Sequence, residues 1–449
     1  MEEVKIIGAG LAGSEAALQL AKRGIKVKLY EMRPYKTTGA HVTEDCAEFV
    51  CSNSLGSADI TNASGLLKQE MEILGGELIK IAKENSVPAG NALAISRKDF
   101  SEAVTKKIKE NPNIELIREE ITEIPDGNVI IASGPLTSDT LAKHIQEFTK
   151  SDNLHFFDAI APIVELDSID FSKAFWASRY DKGEASYINC PMNKDEYEKF
   201  YNILINAPRI EQHNTDDAKF FESCLPVEVL ASRGVDTLRF GPMKPVGLID
   251  KRTGIENYAV VQLRQDDSAK TMFNLVGFQT NLKWGAQKEL VHSIPGLENA
   301  NIIRYGVMHR NTFINASQVL NPTFEARERE GLFFAGQITG TEGYTESIAG
   351  GLLAGINMAL KLQGKELFIP PKETMLGALA HYITDKAHLA HISKRDGSLR
   401  YLPPQPINSN WAIVAPIDLP KKDRKNKKLK TELLSKRAIE TTKSLTINI

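Results

Sequence analysis

Three glycines and one acid are the residues whose types and spacing first suggest chemistry: Gly8, Gly10 and Gly13, followed by Glu31. Together they can cradle a dinucleotide. Gly8 permits a tight turn, Gly10 lets a pyrophosphate approach the backbone, and Gly13 lets a helix pack on the preceding strand with its N-terminal amides facing the phosphates. Ala9, Leu11 and Ala12 complete the turn, and Glu31 is placed to accept a hydrogen bond from a ribose hydroxyl. A second group lies late in the chain, where Gly336-Gln337 ends an apolar run and Gly350, Gly351 and Gly355 sit inside a helical pattern. Glycine costs a helix interior about 1 kcal/mol relative to alanine, so these positions imply close approach by a ligand or by another backbone. A flavin explains both groups better than NAD alone, because FAD is long enough to be held at one end by the early turn and near its ring by the late helix.

The elements that must position these residues follow in order. Val4–Ile7 reads as a buried strand, the residues after Gly10 as a helix, and Lys26–Tyr30 as a second strand ending at Glu31. Residues 32–64 are rich in small and polar side chains and read as a long functional loop; within it Cys51 is followed by Ser52, Asn53 and Ser54. Helical spacing returns over Leu66–Ala82 and again from Ser96 to about Lys109. Ile114–Ile117 and Val129–Ala132 read as short strands. This alternation predicts a doubly wound, Rossmann-like α/β domain. From about Phe175 to Pro295 aromatic and Pro/Gly-punctuated pieces replace it, with strands predicted over Tyr258–Leu263 and Phe273–Phe278. The expected organisation is an FAD-binding domain over 1–174 and 299–449, interrupted by a smaller α+β insertion domain over 175–298.

Composition narrows the class. The 449 residues are 42% hydrophobic, ample for a large core, and no uncharged apolar run approaches the length of a membrane span. The acidic start Met1-Glu2-Glu3 enters the first strand at once, which predicts no secretory or transit peptide. Four cysteines, at 46, 51, 190 and 224, show no Cys-x-x-Cys pairing, and the reducing cytoplasm is the expected compartment. Net charge is only −2, yet residues 421–437 hold nine Lys/Arg against Asp423 and Glu432. Such a segment is a solvated helix face, a surface for RNA phosphates, or both. His381, Asp385 and His388 fall at i, i+4 and i+7 with His391 nearby; phosphate contact or a solvated face is expected there, and no metal.

Several blocks carry a resemblance. They are Gly8–Glu15, Tyr30–Pro34, Cys51–Leu55, the stretch around Cys224, Met308–Thr312 and Gly336–Tyr344. In this order, and over essentially the whole chain, they resemble the bacterial folate- and FAD-dependent tRNA (uracil-5-)-methyltransferases. Related flavoproteins that install carboxymethylaminomethyl groups on wobble uridines are considerably longer, and two-dinucleotide flavoproteins usually show Gly-Asp where this chain has Gly336-Gln337.

The resemblance implies methylation of uracil C5 in RNA. It favours the T-loop uridine of tRNA, giving ribothymidine, with a ribosomal RNA uridine as the alternative. The one-carbon unit comes from methylenetetrahydrofolate and the reducing equivalents from FAD refilled by NAD(P)H, so no S-adenosylmethionine site is expected. Uracil C5 is a poor nucleophile, and adding a thiolate to C6 makes it enolate-like. Family motifs match Cys51 and Cys224, with Cys224 expected as the C6 nucleophile and Cys51 assisting or shielding the one-carbon unit. By residue type alone a cysteine is more often inert core, the reading kept for Cys46 and Cys190. His309 either stacks on the pteridine or is structural, and Tyr344 either packs near the flavin and folate or is structural. Two other classes remain: a small-molecule flavin oxidoreductase and a non-catalytic flavin-containing RNA-binding protein.

Overall fold

A computed structural model describes residues 3–150, 154–159, 161–181, 184–210, 225–306, 308–385, 390–392, 399–401, 406–420, 423 and 426–445. Its first body is a five-stranded parallel sheet in the order Leu332–Phe334, Asn128–Ile131, Val4–Ile7, Val27–Glu31, Ile114–Arg118. Val4–Ile7 is central because its neighbours cover both edges; Val4, Ile6 and Ile7 are buried, while half-buried Lys5 reaches its ammonium to the Asp126 carbonyl. The chain winds outward from it on one side and then returns to the other side with Asn128–Ile131. The strand order therefore reverses beside Gly8, and such a switch point is where open α/β sheets take ligands.

The Leu11–Lys22 helix follows Gly10 directly and is buried along its length up to Ala21. It is covered by the late Tyr344–Leu362 helix, and glycines set how closely the two approach. A Cβ added at Gly351 would lie 2.2 Å from the Ala12 carbonyl oxygen, and one at Gly355 3.0 Å from Ala16 Cα. Of the two reasons predicted for those glycines, these two serve another backbone. They give no separate sign of a ligand.

The helical pattern over Leu66–Ala82 is two helices, Ala63–Ile73 and Glu77–Glu84. The break falls at Gly75, whose φ of +83° continues no right-handed helix. Buried Glu15 then caps the second helix, accepting from the Glu77 and Leu78 amides.

A six-stranded sheet of antiparallel pairs forms the second body, in the order Phe175–Ala177, Tyr187–Met192, Ala259–Gln265, Met272–Leu275, Ile163–Glu165, Ile302–Arg304. It is α+β in character, with the Lys194–Asn206 and Trp284–His292 helices and its own core around Tyr197, Phe200 and Phe273. The sheet is wider than the span 175–298, because Ile163–Glu165 and Ile302–Arg304 pair into it from outside. Three-residue strands without alternation leave little trace in sequence. The Lys427–Leu445 helix packs on Ala63–Ile73 through buried Leu434 and Ala438, and Ser435 Oγ donates to the Ile60 carbonyl at 2.7 Å. Among the described residues no helix is long and apolar enough to cross a membrane.

Candidate active site

The early turn has the geometry that its glycines predict. Gly8 has φ +100°, and a Cβ there would sit 2.6 Å from the Ala132 carbonyl oxygen. At Gly13 it would sit 1.8 Å from the Gly8 carbonyl oxygen. At Gly10 a Cβ would meet nothing within 4 Å. Two glycines are thus consumed by packing while the third faces open space at a helix N-terminus, where an anion is favoured. The cleft above runs between Gly8, Gly10, Glu31, Ser133 and Thr137.

Glu31 lies in that cleft wall, but its carboxylate is already engaged. Oε2 accepts from the Ala9 amide at 3.1 Å, and Oε1 accepts from Arg33 N at 3.1 Å and Arg33 Nε at 2.8 Å. Burial alone would raise its pKa, but the Arg33 hydrogen bond and charge, with the two amides, hold it below the ordinary carboxylate value. Arg33 is itself buried and also pairs with Glu48 at 3.0 Å. In this arrangement Glu31 orients the turn, and a ribose hydroxyl would have to share its oxygens with these partners.

A second cavity, of about 520 Å³, lies beyond Ser133–Leu136 and is lined by Cys51, Ser54, Pro135, Gln337, Tyr344 and Trp411 among others. That volume suits a small-molecule site. The first cleft and this cavity adjoin, because Ser133 and Leu136 line one and Pro135 lines the other. The late Gly336-Gln337 turn and the Cys51 loop therefore meet. Gly336, at φ +79°, sits against Ala12, and Gly350 packs under Gly336 with a Cβ position 3.0 Å from its amide nitrogen. Gln337 Nε2 donates to Glu342 Oε1 at 2.8 Å, and residues 407–411 close one wall: the Glu342 amide donates to the Ile407 carbonyl, and Glu346 accepts from Ser409 N and Oγ.

Cys51 Sγ is 2.8 Å from Tyr344 Oη. The same phenol oxygen accepts from the amides of Cys51 at 2.7 Å and Val50 at 3.0 Å. Two amides occupy its lone pairs, so its own hydrogen is left to point at the sulfur. Although part of the ring is accessible, the hydroxyl is enclosed by the Val50–Ser52 amides. Burial, and then the charge of Cys51, push this phenol well above its usual range. It remains a proton donor at any working pH.

The Cys51 loop is also clamped to the second body. Asn53, fully buried, donates from Nδ2 to the Ile95 and Gln265 carbonyls at 2.9 and 2.7 Å and accepts at Oδ1 from Arg264 Nε and Asn274 Nδ2 at 2.9 and 3.2 Å. Arg97 donates from Nη1 to the Phe49 and Val50 carbonyls and from Nε to Asp266 at 3.1 Å; Asp266 in turn accepts from Asn274. These residues were not predicted as functional. Asn53 stood inside a recognised block, but its partners in the second body lie more than two hundred positions away, and no local pattern could reveal them.

The remaining predicted residues divide clearly. Cys46 is buried with its pKa pushed up to about 11 by burial, and Cys190 is pushed higher still. Both are inert core. Cys224 lies outside the described residues; the described chain resumes at buried Leu225, and the Val227 amide donates to the Gln279 carbonyl in the second body. His309 belongs to the Met308–Phe313 strand opposite Asp158, and its side chain lies outside what is described. His381 does not share a helix face with Asp385, because the helix ends at Thr384 and Asp385 is extended; His388 is outside the described residues.

The chain is 56% identical over 439 residues to the methylenetetrahydrofolate–tRNA-(uracil-5-)-methyltransferase TrmFO of Anoxybacillus flavithermus, covering 98% of each chain. The enzyme of that name from Bacillus subtilis is 53% identical over 448 residues, covering 100% of this chain and 99% of the relative. The chain belongs to this methyltransferase family. Residues 3–366 also match the Glucose inhibited division protein A family. Among solved structures, Aquifex aeolicus GidA superposes with a TM-score of 0.68 at 18% identity, covering 100% of this chain and 74% of that one. At that identity the likeness concerns the fold, which is the FAD-binding Rossmann-like α/β fold.

Proposed function

We propose that this chain methylates C5 of a uracil in RNA, using methylenetetrahydrofolate as carbon donor, FAD as cofactor and NAD(P)H as reductant. The proposed substrate is the T-loop uridine of tRNA, and the product ribothymidine. The observation that carries the proposal is the meeting of Cys51, Gln337 and Tyr344 in one cavity that adjoins the open Gly10 turn. The names of the relatives agree with it. The residues present fit an elongated flavin dinucleotide: Gly8–Gly13 would hold its pyrophosphate, and the Gly336-Gln337 turn its far end. Bound there, FAD would supply the reducing equivalents that turn a transferred one-carbon unit into a methyl group.

The chain's own part is nucleophilic and positional. Cys224 adds as thiolate to uracil C6, pushing an electron pair toward C5 and O4; C5 then bonds to the one-carbon unit, that carbon's bond to its nitrogen carrier breaks as C5 loses its proton, and the thiolate leaves C6, while the two electrons that take the methylene to methyl would come from bound reduced flavin. Cys51, with the Tyr344 proton aimed at its sulfur, assists at the one-carbon unit. Because the target carbon is stacked inside a folded loop, the uridine must be extruded to reach the cavity. The exposed Lys427, Lys428 and Lys430 lie on the helix that packs on Ala63–Ile73, whose first residues line the cavity. Reduced folates, NAD(P)H and RNA share the cytoplasm, which we propose as the compartment.

The test offers bulk RNA, NADPH and methylenetetrahydrofolate labelled in its one-carbon unit. Label is expected on uracil C5, with none from labelled S-adenosylmethionine, and sequencing the labelled RNA distinguishes transfer from ribosomal RNA. RNA containing 5-fluorouracil should trap a covalent adduct with the native chain and not with Cys224→Ala. An adduct lost only in Cys51→Ala reverses the two roles, and methyl transfer surviving both changes ends the thiolate mechanism. Turnover of NAD(P)H without any RNA product would instead favour a small-molecule oxidoreductase.

A further inference from the structure

We propose that a separate cavity at the seam between the two bodies holds an unstacked base of the RNA substrate, a neighbour of the target uridine. It rests on the RNA reading above and adds a site to it. The cavity, of about 430 Å³, is lined by Gly56, Ser57, Gly90, Asn91, Tyr180 and Tyr187 among others. It shares Gly56 and Ser57 with the Cys51 cavity, so one stretch of chain separates the two. A strand whose target nucleotide enters the Cys51 cavity would place an adjacent nucleotide here.

Tyr180 is the reason to read this cavity as a base site. The residue is 57% exposed, yet its backbone is held at φ +60° and that of Asp181 at +51°, a left-handed pair of non-glycine residues. Bulky side chains avoid that region, and it persists only where surrounding contacts enforce it. Those contacts are present. The Tyr180 amide donates to the Gly247 carbonyl at 2.8 Å. The Arg179 guanidinium beneath donates to the Val246 and Lys244 carbonyls and to Gln262 Oε1. A Cβ at Gly247 would fall 2.7 Å from two Tyr180 ring carbons, so the ring lies directly against that glycine while more than half of the residue stays exposed. Tyr187, fixed by its hydroxyl to the Ala89 carbonyl, also lines the cavity. Strain retained for a ring that buries little surface is strain that presents an aromatic face.

Charge favours a base on a strand over a free dinucleotide. Three Arg179 hydrogen bonds go to the Val246, Lys244 and Gln262 oxygens and the Gly90 amide donates to Ser186 Oγ, so these donors are engaged within the protein. Cations stand beside the Tyr180 turn instead: Lys244 is exposed, and Lys251 pairs with exposed Asp181 at 3.1 Å, a contact that water or a phosphate can replace. A base can stack inside while its phosphates remain in solvent.

The probe is a T-loop stem-loop RNA carrying 2-aminopurine on either side of the target uridine, titrated into the full-length, FAD-loaded chain. Native protein and Tyr180→Phe should quench one 2-aminopurine, and Tyr180→Ala and Tyr180→Gly should lose that quench and bind about tenfold more weakly or worse. In turnover the loss should appear in KM for RNA, with kcat at saturating RNA and KM for NADPH unchanged. Tyr180→Gly removes the ring and relieves the left-handed strain, so its thermal midpoint should equal or exceed the native value. Quenching and affinity retained in Tyr180→Gly overturn the proposal, as does a defect confined to the KM for NADPH or for methylenetetrahydrofolate. Binding is read without chemistry, so native protein that binds and quenches but never methylates defeats the functional reading alone. Native protein that methylates while Tyr180→Gly binds equally well defeats the seam site alone, and native protein that binds no RNA defeats both.

Discussion

Gly10 and Gly13 are three residues apart and both are glycine, yet the structure assigns them opposite consequences on substitution. A Cβ at Gly13 would lie 1.8 Å from a backbone carbonyl oxygen, far inside contact distance, and neither the helix nor the turn has a flexible end to move. Gly13→Ala should therefore cost at or above the upper end of the ~1–3 kcal/mol typical of overpacking. Gly10, at φ −70° and ψ −167°, has a backbone any residue adopts and no atom within 4 Å of its Cβ position. Gly10→Val should cost the apoprotein about 1 kcal/mol or less, the price of a poorer helix N-cap. Its side chain instead fills the space left for a pyrophosphate. Losing two charge-assisted amide contacts, at about 1.5–3 kcal/mol each, predicts a Kd for FAD weakened at least a hundredfold. Urea unfolding of the apoproteins and FAD titration by flavin fluorescence separate the two effects. A Gly10→Val protein that binds FAD with native affinity would refute the placement, as would one that unfolds as readily as Gly13→Ala.

Asp266→Asn breaks a pair whose side chains are 4% and 11% exposed and strands the Arg97 charge, so it should lower stability by about 3–5 kcal/mol. Arg97 also holds the Phe49 and Val50 carbonyls, so alkylation of Cys51 in the folded protein should change rate as well. Replacing Lys427, Lys428 and Lys430 with Gln should flatten the dependence of RNA affinity on salt, each lost phosphate contact reducing the slope by about one on logarithmic axes; an unchanged slope would make that helix a solvated face. Glu70, buried against the Met375 and Leu376 amides, has its carboxyl pushed up by burial to about 8 despite those two bonds. Between the ordinary carboxyl value and about 8 the folded state holds the proton and the unfolded state does not, so this group's contribution falls as pH rises through that window. In denaturant titrations from pH 5 to 8, Glu70→Gln should decline less than the native chain, and parallel curves would contradict the assignment.

Local pattern revealed the elements that local pattern builds. Val4–Ile7, the Gly8–Gly13 turn and the late helix were legible because apolar runs and glycine spacing express one strand, one turn and one face. Where two pieces of chain meet, the sequence was ambiguous or silent. Gly351 and Gly355 admitted a ligand or a backbone, and only the Ala12 and Ala16 contacts decide for backbone. Glu31 was legible as an acid at a strand end, but not as one already committed to Arg33, two residues on and buried through Glu48. The His381 spacing required a helix longer than the one that stops at Thr384. The three-residue strands at 163–165 and 302–304 are too short to show periodicity, so the second sheet extends past the expected boundaries.

The placement of Cys51 explains why an insertion is needed in a nucleotide-binding domain. A loop in open solvent would leave the sulfur free to move, and misplacement of a reacting group by about 1 Å can cost a hundredfold in rate. The loop's only strand, Ser54–Ser57, belongs to a small three-stranded sheet and could not fix it alone. It is held from both sides instead. Phe49 and Val50 are fixed through Arg97 to Asp266, and Asn53 through Arg264, Gln265 and Asn274, all four from the second body. Tyr344, on the helix that packs against the glycine turn, closes on the sulfur between them. The thiol is thus referenced at once to the body that would carry the flavin and to the body in which the chain resumes after Cys224. Any hinge between the two bodies would have to break a buried ion pair and the three buried hydrogen bonds that tie Asn53 to the second body, so the geometry for methyl transfer is set before substrate arrives.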